Sequence, residues 1–241
     1  MVDLVKLILA QIPLFVGNFL SLFTAPKAFV RERNQSGEDN LSKSLTFLGI
    51  SFALTMILTA PLMPMKSESV QFVVTRGVYT LITVILGAVA VWLAWLCVGG
   101  RPEFARLLIT YFYQSGILTV LSFIVIILCP LGLAKALDPE MYPKLADLFI
   151  NPSFHHKEFS DFITQAARDD PFGRHNLVYW AYILMQCLGT LATLAWMFAF
   201  WGAYRELSGV SRVRSFWASV LLYFLFFPIF GISWLLFKAT S

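Results

Sequence analysis

Five blocks of predominantly apolar residues divide the chain. They run over Leu45–Pro64, Gly77–Gly99, Leu107–Ala134, Leu177–Tyr204 and Phe216–Phe237, and none contains Asp, Glu, Lys, Arg or His. At 1.5 Å per residue, a helix of 18 or more such residues crosses a hydrocarbon core of roughly 30 Å. The pattern therefore predicts five membrane-spanning helices. The third block exceeds the minimum and carries Pro130 near its end, which predicts tilt, a kink or protrusion into the interface. The fifth contains Pro228 and Gly231, tolerable in a span where neighbouring helices re-satisfy the freed carbonyls.

Ahead of these blocks, Leu7–Phe23 is apolar but interrupted by Gln11, Pro13, Gly17, Asn18 and Ser21. A helix lying in the interface fits this best, with Gln11, Asn18 and Ser21 near one face. A sixth span and a signal peptide are the alternatives. Only Lys6 precedes the apolar stretch, Asp3 offsets it, and no small-residue cleavage site follows, which speaks against the signal peptide.

The sizeable polar insertion is 136–176. Asp138-Pro139 is a helix-start signal, after which Met141, Leu145, Leu148 and Phe149 share one face. Beyond Asn151-Pro152-Ser153, Phe159, Phe162, Ile163 and Ala166 repeat the pattern up to Asp169-Asp170-Pro171. Two short amphipathic helices are expected, free to lie on the leaflet, cap the bundle or bind a partner. The organisation is thus 1–44 N-terminal, 45–135 spans one to three, 136–176 outer helical loop and 177–241 spans four and five. The fold class is an all-α membrane protein.

Composition agrees with that reading. Hydrophobic residues make up 58% of the 241 and charged residues 13%, about half the charged share of an ordinary soluble domain. The net charge of +4 is unevenly placed. With five spans, Lys6, Lys27, Arg31, Arg33, Lys43, Arg101, Arg106, Arg205, Arg212 and Arg214 share one side, which the positive-inside rule makes cytoplasmic. The expected orientation is N-terminus cytoplasmic and C-terminus outside, in a bacterial inner membrane. Arg205, Arg212 and Arg214, with Arg31 and Arg33 behind them, are candidates for contact with anionic lipid headgroups. Enforcing topology is the plainer role for the same residues.

Candidate chemistry is sparse. Cys97, Cys129 and Cys187 lie in or at the ends of spans with no metal-binding or disulfide spacing. His155, His156, Glu158 and Asp161 are of metal-ligand type, but adjacent histidines on a helix point about 100° apart, so a solvated polar face is the better account. No phosphate-cradling glycine loop, H-E-x-x-H or G-x-S-x-G is present. Inside the spans the polar set is Tyr111, Tyr113, Gln114 and Ser115 in the third, and Gln186 and Thr190 in the fourth. Interhelical hydrogen bonding is the ordinary use of such residues, and a substrate path is the rival. Gly87, Ala90 and Gly189 suit close helix packing, Gly99-Gly100 reads as a tight turn, and Trp92, Trp95, Trp180 and Trp234 read as belt or lipid-facing aromatics.

The run Phe23–Phe29 (FTAPKAF) before the first span, the stretch GGRPEFARLLITYFYQSG over Gly99–Gly116, and the basic link Tyr204–Ser219 before the last span together resemble the Yip domain family. These are small membrane proteins named for interacting with Ypt/Rab GTPases. The resemblance implies five spans with a cytoplasmic N-terminus. An Asp-Leu-Tyr-Gly-Pro type of element is missing, Gly116 stands where a proline often follows the tyrosine, and 136–176 exceeds the minimal domain; the chain looks like a prokaryotic-type member. The expected function is a non-enzymatic scaffold or accessory subunit that organises membrane partners or lipids. A transporter or lipid-translocating protein, with Tyr111, Gln114, Gln186 and Thr190 converging on one cavity, is the alternative. A lipid-modifying enzyme using His155, His156, Glu158 and Asp161 comes third. No cofactor is expected; the expected partners are membrane lipids and either another membrane protein or further copies of this chain, with no nucleic acid.

Overall fold

The computed structural model describes residues 2–36, 41–59, 69–143, 164–165 and 173–240. Its main elements are α1 (Val2–Thr24), α2 (Pro26–Ser36), α3 (Leu41–Thr59), α4 (Ser69–Cys97) and α5 (Phe104–Ser122). A π-helical turn (Phe123–Leu128) follows, then α6 (Cys129–Leu137), α7 (Arg174–Ser208) and α8 (Arg212–Thr240). No strand occurs among the described residues.

Four stretches are long and apolar enough to cross a membrane: Leu41–Leu58, Thr80–Cys97, Phe104–Leu137 and Asn176–Ser208. They coincide with the first four spans read from the sequence. The fifth block lies within α8, whose 29 residues suffice in length; most side chains beyond Pro228 lie outside the described residues. Leu7–Phe23 falls inside α1, whose described apolar stretch is Gln11–Thr24.

Large apolar side chains cover the surface as well as filling the interior. Ser44, Ser51, Thr110, Gln114 and Ser115 are buried, while Phe198 is 77% and Phe227 79% exposed. In hydrocarbon an outward Phe or Leu loses nothing, whereas a polar group must find an internal partner. Accordingly Ser51 Oγ donates to the Phe47 carbonyl (2.9 Å) and Thr110 Oγ1 to that of Arg106 (2.8 Å).

The chain divides into two compact units. One comprises Met1–Phe52, Ser67–Ile117 and Trp196–Ser241; the other comprises Ala53–Lys66 and Leu118–Ala195. In the first, α1 and α2 fold back on each other at Ala25-Pro26. Arg33 Nη2 donates to Asn18 Oδ1 at 2.6 Å although 15 residues separate them. A straight helix would hold them roughly 22 Å apart. Phe15 and Leu22 of α1 point inward, with Ile12, Leu14, Val16, Leu20 and Phe23 outward. Phe15, Phe29, Phe47 and Tyr113 form an aromatic core, with centroids 4.8 to 5.2 Å apart. Trp196 Nε1 donates to the Phe23 carbonyl at 3.1 Å, tying α7 to the end of α1. A side chain at Gly87 would run into the Tyr111 ring and hydroxyl, so the glycine sets how closely α4 and α5 approach.

In the second unit, the feature expected at Pro130 takes the form of a π turn. Cys129 N–H bonds the Ile124 carbonyl five residues back. By the same register the Val125 carbonyl would await an N–H at position 130, and proline has none. Gln186 Nε2 of α7 donates to that carbonyl at 2.9 Å. One turn further along α7, Gly189 faces Val125 so closely that a Cβ there would clash with its side chain. Asp138 begins the insertion as the cap predicted: the backbone N–H of Met141 reaches Asp138 Oδ1 at 3.2 Å. The two amphipathic helices expected after it fall almost wholly outside the described residues.

Candidate functional site

The polar residues of the spans are placed separately. Tyr204 Oη donates to Gln114 Oε1 at 2.5 Å, both buried. Tyr113 is buried between Phe29 and Phe47, and Tyr111 lies over Gly87. Ser115 is buried. Gln186 serves the Val125 carbonyl within the second unit, and Thr190 is exposed on α7. Each of the two amides thus has a partner inside its own unit.

Around the Gln114–Tyr204 pair the aromatics are layered. Tyr204 meets Phe200 at 5.3 Å and Trp201 at 5.9 Å, and Trp95 stacks on Trp201 at 4.9 Å. Trp201 Nε1 donates to Ser215 Oγ (3.0 Å) and to its carbonyl (3.2 Å), so α7 is pinned to the first turn of α8. Trp95 is fully buried and Trp92 half-buried, the latter donating to the Pro102 carbonyl at 3.3 Å. For Trp95 this corrects the belt assignment: its ring fills the packing between helices. Trp180 is exposed, as a belt residue would be, and Trp234 lies outside the described side chains.

Two glycine turns bring basic residues together in the first unit. At the end of α4, Gly99 has φ +81°. Gly99 N–H bonds the Leu96 carbonyl, and Gly100 N–H the Trp95 carbonyl, both at 2.9 Å. That is the left-handed helix stop that glycine alone adopts without strain. At the end of α7, Gly209 (φ +65°) makes the simpler stop, with its N–H on the Arg205 carbonyl at 3.0 Å. The turns touch: a Cβ on Gly100 would lie 3.2 Å from Ser208 Cβ and 3.3 Å from Val210 Cγ1. Trp95 Nε1 and Ser208 Oγ, flanking this junction, are buried side-chain polar atoms without a hydrogen-bond partner among the described residues.

Charge at these turns is unbalanced. Glu206 pairs with Lys27 (2.8 Å) and Glu103 with Arg106 (2.8 Å). Arg101, Arg212 and Arg214 are exposed and have no ion-pair partner among the described residues. Arg205 is half-buried and Arg31 exposed. Arg33 is turned inward, bonded to Asn18 with its guanidinium 5.0 Å from the Phe29 ring centroid. Beside Gly99, a groove of about 560 Å³ is lined by Cys97, Val98, Gly99, Arg214, Trp217 and Leu221.

His155, His156, Glu158 and Asp161 lie outside the described residues. Among the described ones, no group of three His, Cys, Asp or Glu is placed to hold a metal. Sequence reasoning missed Val125, Tyr204 and the Trp95–Trp201 stack. A tyrosine at the end of a span reads as a belt residue, and a backbone carbonyl leaves no mark in sequence beyond the proline that strands it.

Long apolar helices and outward hydrophobic side chains define a polytopic α-helical integral membrane protein. The family model for the Yip1 domain matches residues 19–235, nearly the whole chain, and the protein belongs to that family. No curated protein and no solved structure matches the chain.

Proposed function

We propose that the protein is a non-enzymatic scaffold or accessory subunit of a cytoplasmic membrane, organising lipids or a partner membrane protein. Its N-terminus and the turns at Gly99 and Gly209 face the cytoplasm, α1 lies in the interface, and the C-terminus is outside. The observation that carries this reading is where the span amides are used. Gln114 is bonded to Tyr204 and Gln186 to the Val125 carbonyl, so both hold helices together. Thr190, which a substrate path shared with Gln186 would need inside, is exposed. The exposed arginines near the two turns, without an ion-pair partner among the described residues, support contact with an anionic membrane face and fit the positive-inside rule.

Extraction into nanodiscs under mild conditions, followed by mass spectrometry of co-purifying proteins and lipids, tests the proposal. A stoichiometric membrane-protein partner, or a reproducible lipid complement, is the expected result. A lone protein carrying a defined solute would overturn it in favour of transport.

A further inference from the structure

The groove beside Gly99 has a graded chemistry that fits one kind of molecule. Along α8, Arg214, Trp217 and Leu221 follow at i, i+3 and i+7, so they share one helix face and descend about 10 Å from charge to hydrocarbon. Across the groove stand Gly99 and Val98 of the turn that ends α4, and Cys97, its last residue; Gly99 lies beside Arg214, and the chain runs back from it into the span. The gradient runs from guanidinium through indole to aliphatic surface. A phospholipid presents phosphate, then ester, then methylene over the same distance. Trp217 is 57% exposed and offers its ring to an occupant.

Charge decides which phospholipid. Among the described residues, Glu103 and Glu206 are occupied by Arg106 and Lys27, while Arg101, Arg212 and Arg214 have no ion-pair partner. A net-neutral zwitterionic headgroup gains little net attraction from this surplus, because its own cation offsets its phosphate; one of net negative charge is attracted. The guanidinium lies beside the helix stop: a Cβ on Gly99 would be in van der Waals contact with Arg214 Nη1, at 3.5 Å.

We propose that this groove seats one anionic phospholipid, with its phosphate on Arg214, its ester region against Trp217 and its first methylenes on Leu221, Val98 and Cys97. This rests on the reading that the two glycine turns lie at the cytoplasmic interface. The selectivity expected from Arg214 is about fivefold in relative occupancy, the factor that ~1 kcal/mol per well-placed arginine gives.

The test uses the full chain in nanodiscs of phosphatidylcholine carrying a low mole fraction of brominated lipid, either phosphatidylglycerol or phosphatidylcholine. Bromine quenches tryptophan at contact, and subtracting the signal of Trp217→Phe isolates Trp217. Several-fold stronger quenching by the anionic lipid in the wild type is expected. Arg214→Gln abolishes that difference, whereas Arg205→Gln, outside the groove, retains it. Equal quenching by both lipids, or a preference that survives Arg214→Gln, overturns the proposal. Labelling a single cysteine at the exposed turn (Ser211→Cys, in a Cys97→Ser, Cys129→Ser, Cys187→Ser background) with an impermeant maleimide, in sealed right-side-out and inverted membrane vesicles, reports the orientation separately. Labelling from outside alone would sink the topology while leaving the quenching result to be judged on its own.

Discussion

In the unit that holds α4 and α8, a span amide meets another side chain: Gln114 accepts from the Tyr204 hydroxyl amid a layer of aromatics. In the other unit, Gln186 donates to a backbone carbonyl that Pro130 leaves without its usual partner. The first bond joins two groups that helix packing would bring together anyway. The second repairs the ladder of a helix whose π turn and proline leave it one donor short. Two glutamines in apolar spans thus hold helices by different means, and a polar residue in a span is by itself no sign of a pathway.

Close packing at the π turn should give the largest effect. Gly189→Leu drives a side chain into Val125 and is expected to destabilise by about 1–3 kcal/mol, read as a lowered unfolding midpoint in detergent titration. Wild-type stability would mean that α7 and the π turn are not in contact. Next comes Gln186→Leu, which leaves the Val125 carbonyl unsatisfied and should cost about 1–2 kcal/mol by the same titration. Tyr204→Phe removes one buried hydrogen bond but keeps the ring, and a cost near 0.6 kcal/mol is expected, the mean for such bonds in membrane proteins. Its double-mutant cycle with Gln114→Leu should return a coupling of that size. Smallest of all, Lys27→Ala breaks a half-exposed ion pair with Glu206; a loss of about 0.2–0.5 kcal/mol at low salt should vanish at high salt.

The spans were legible because eighteen uncharged apolar residues leave a chain few choices but to cross a bilayer. The Gly99-Gly100 stop was legible too, since a glycine pair between two apolar blocks has a conformational reason to be there. Pro130 announced a disturbance, but whether it would kink the helix or become a π turn depends on α7, 61 residues away from the bond it makes. Asp138-Pro139 correctly marked a helix start. Trp95 was misplaced because an aromatic near a span end looks alike in a belt and in a core; its stacking on Trp201 is a tertiary fact. The same limit applies to Tyr204, whose partner Gln114 is 90 positions distant.

The claim that the span amides are structural, each with its own task, is tested most directly by measuring Gln186→Leu and Gln114→Leu in wild-type and Pro130→Ala backgrounds, by unfolding titration of the full chain. Restoring an N–H at position 130 gives the Val125 carbonyl a backbone donor. The account predicts that Pro130→Ala removes most of the cost of Gln186→Leu and leaves that of Gln114→Leu unchanged. A cost of Gln186→Leu that is the same in both backgrounds, or no cost in either, would contradict it.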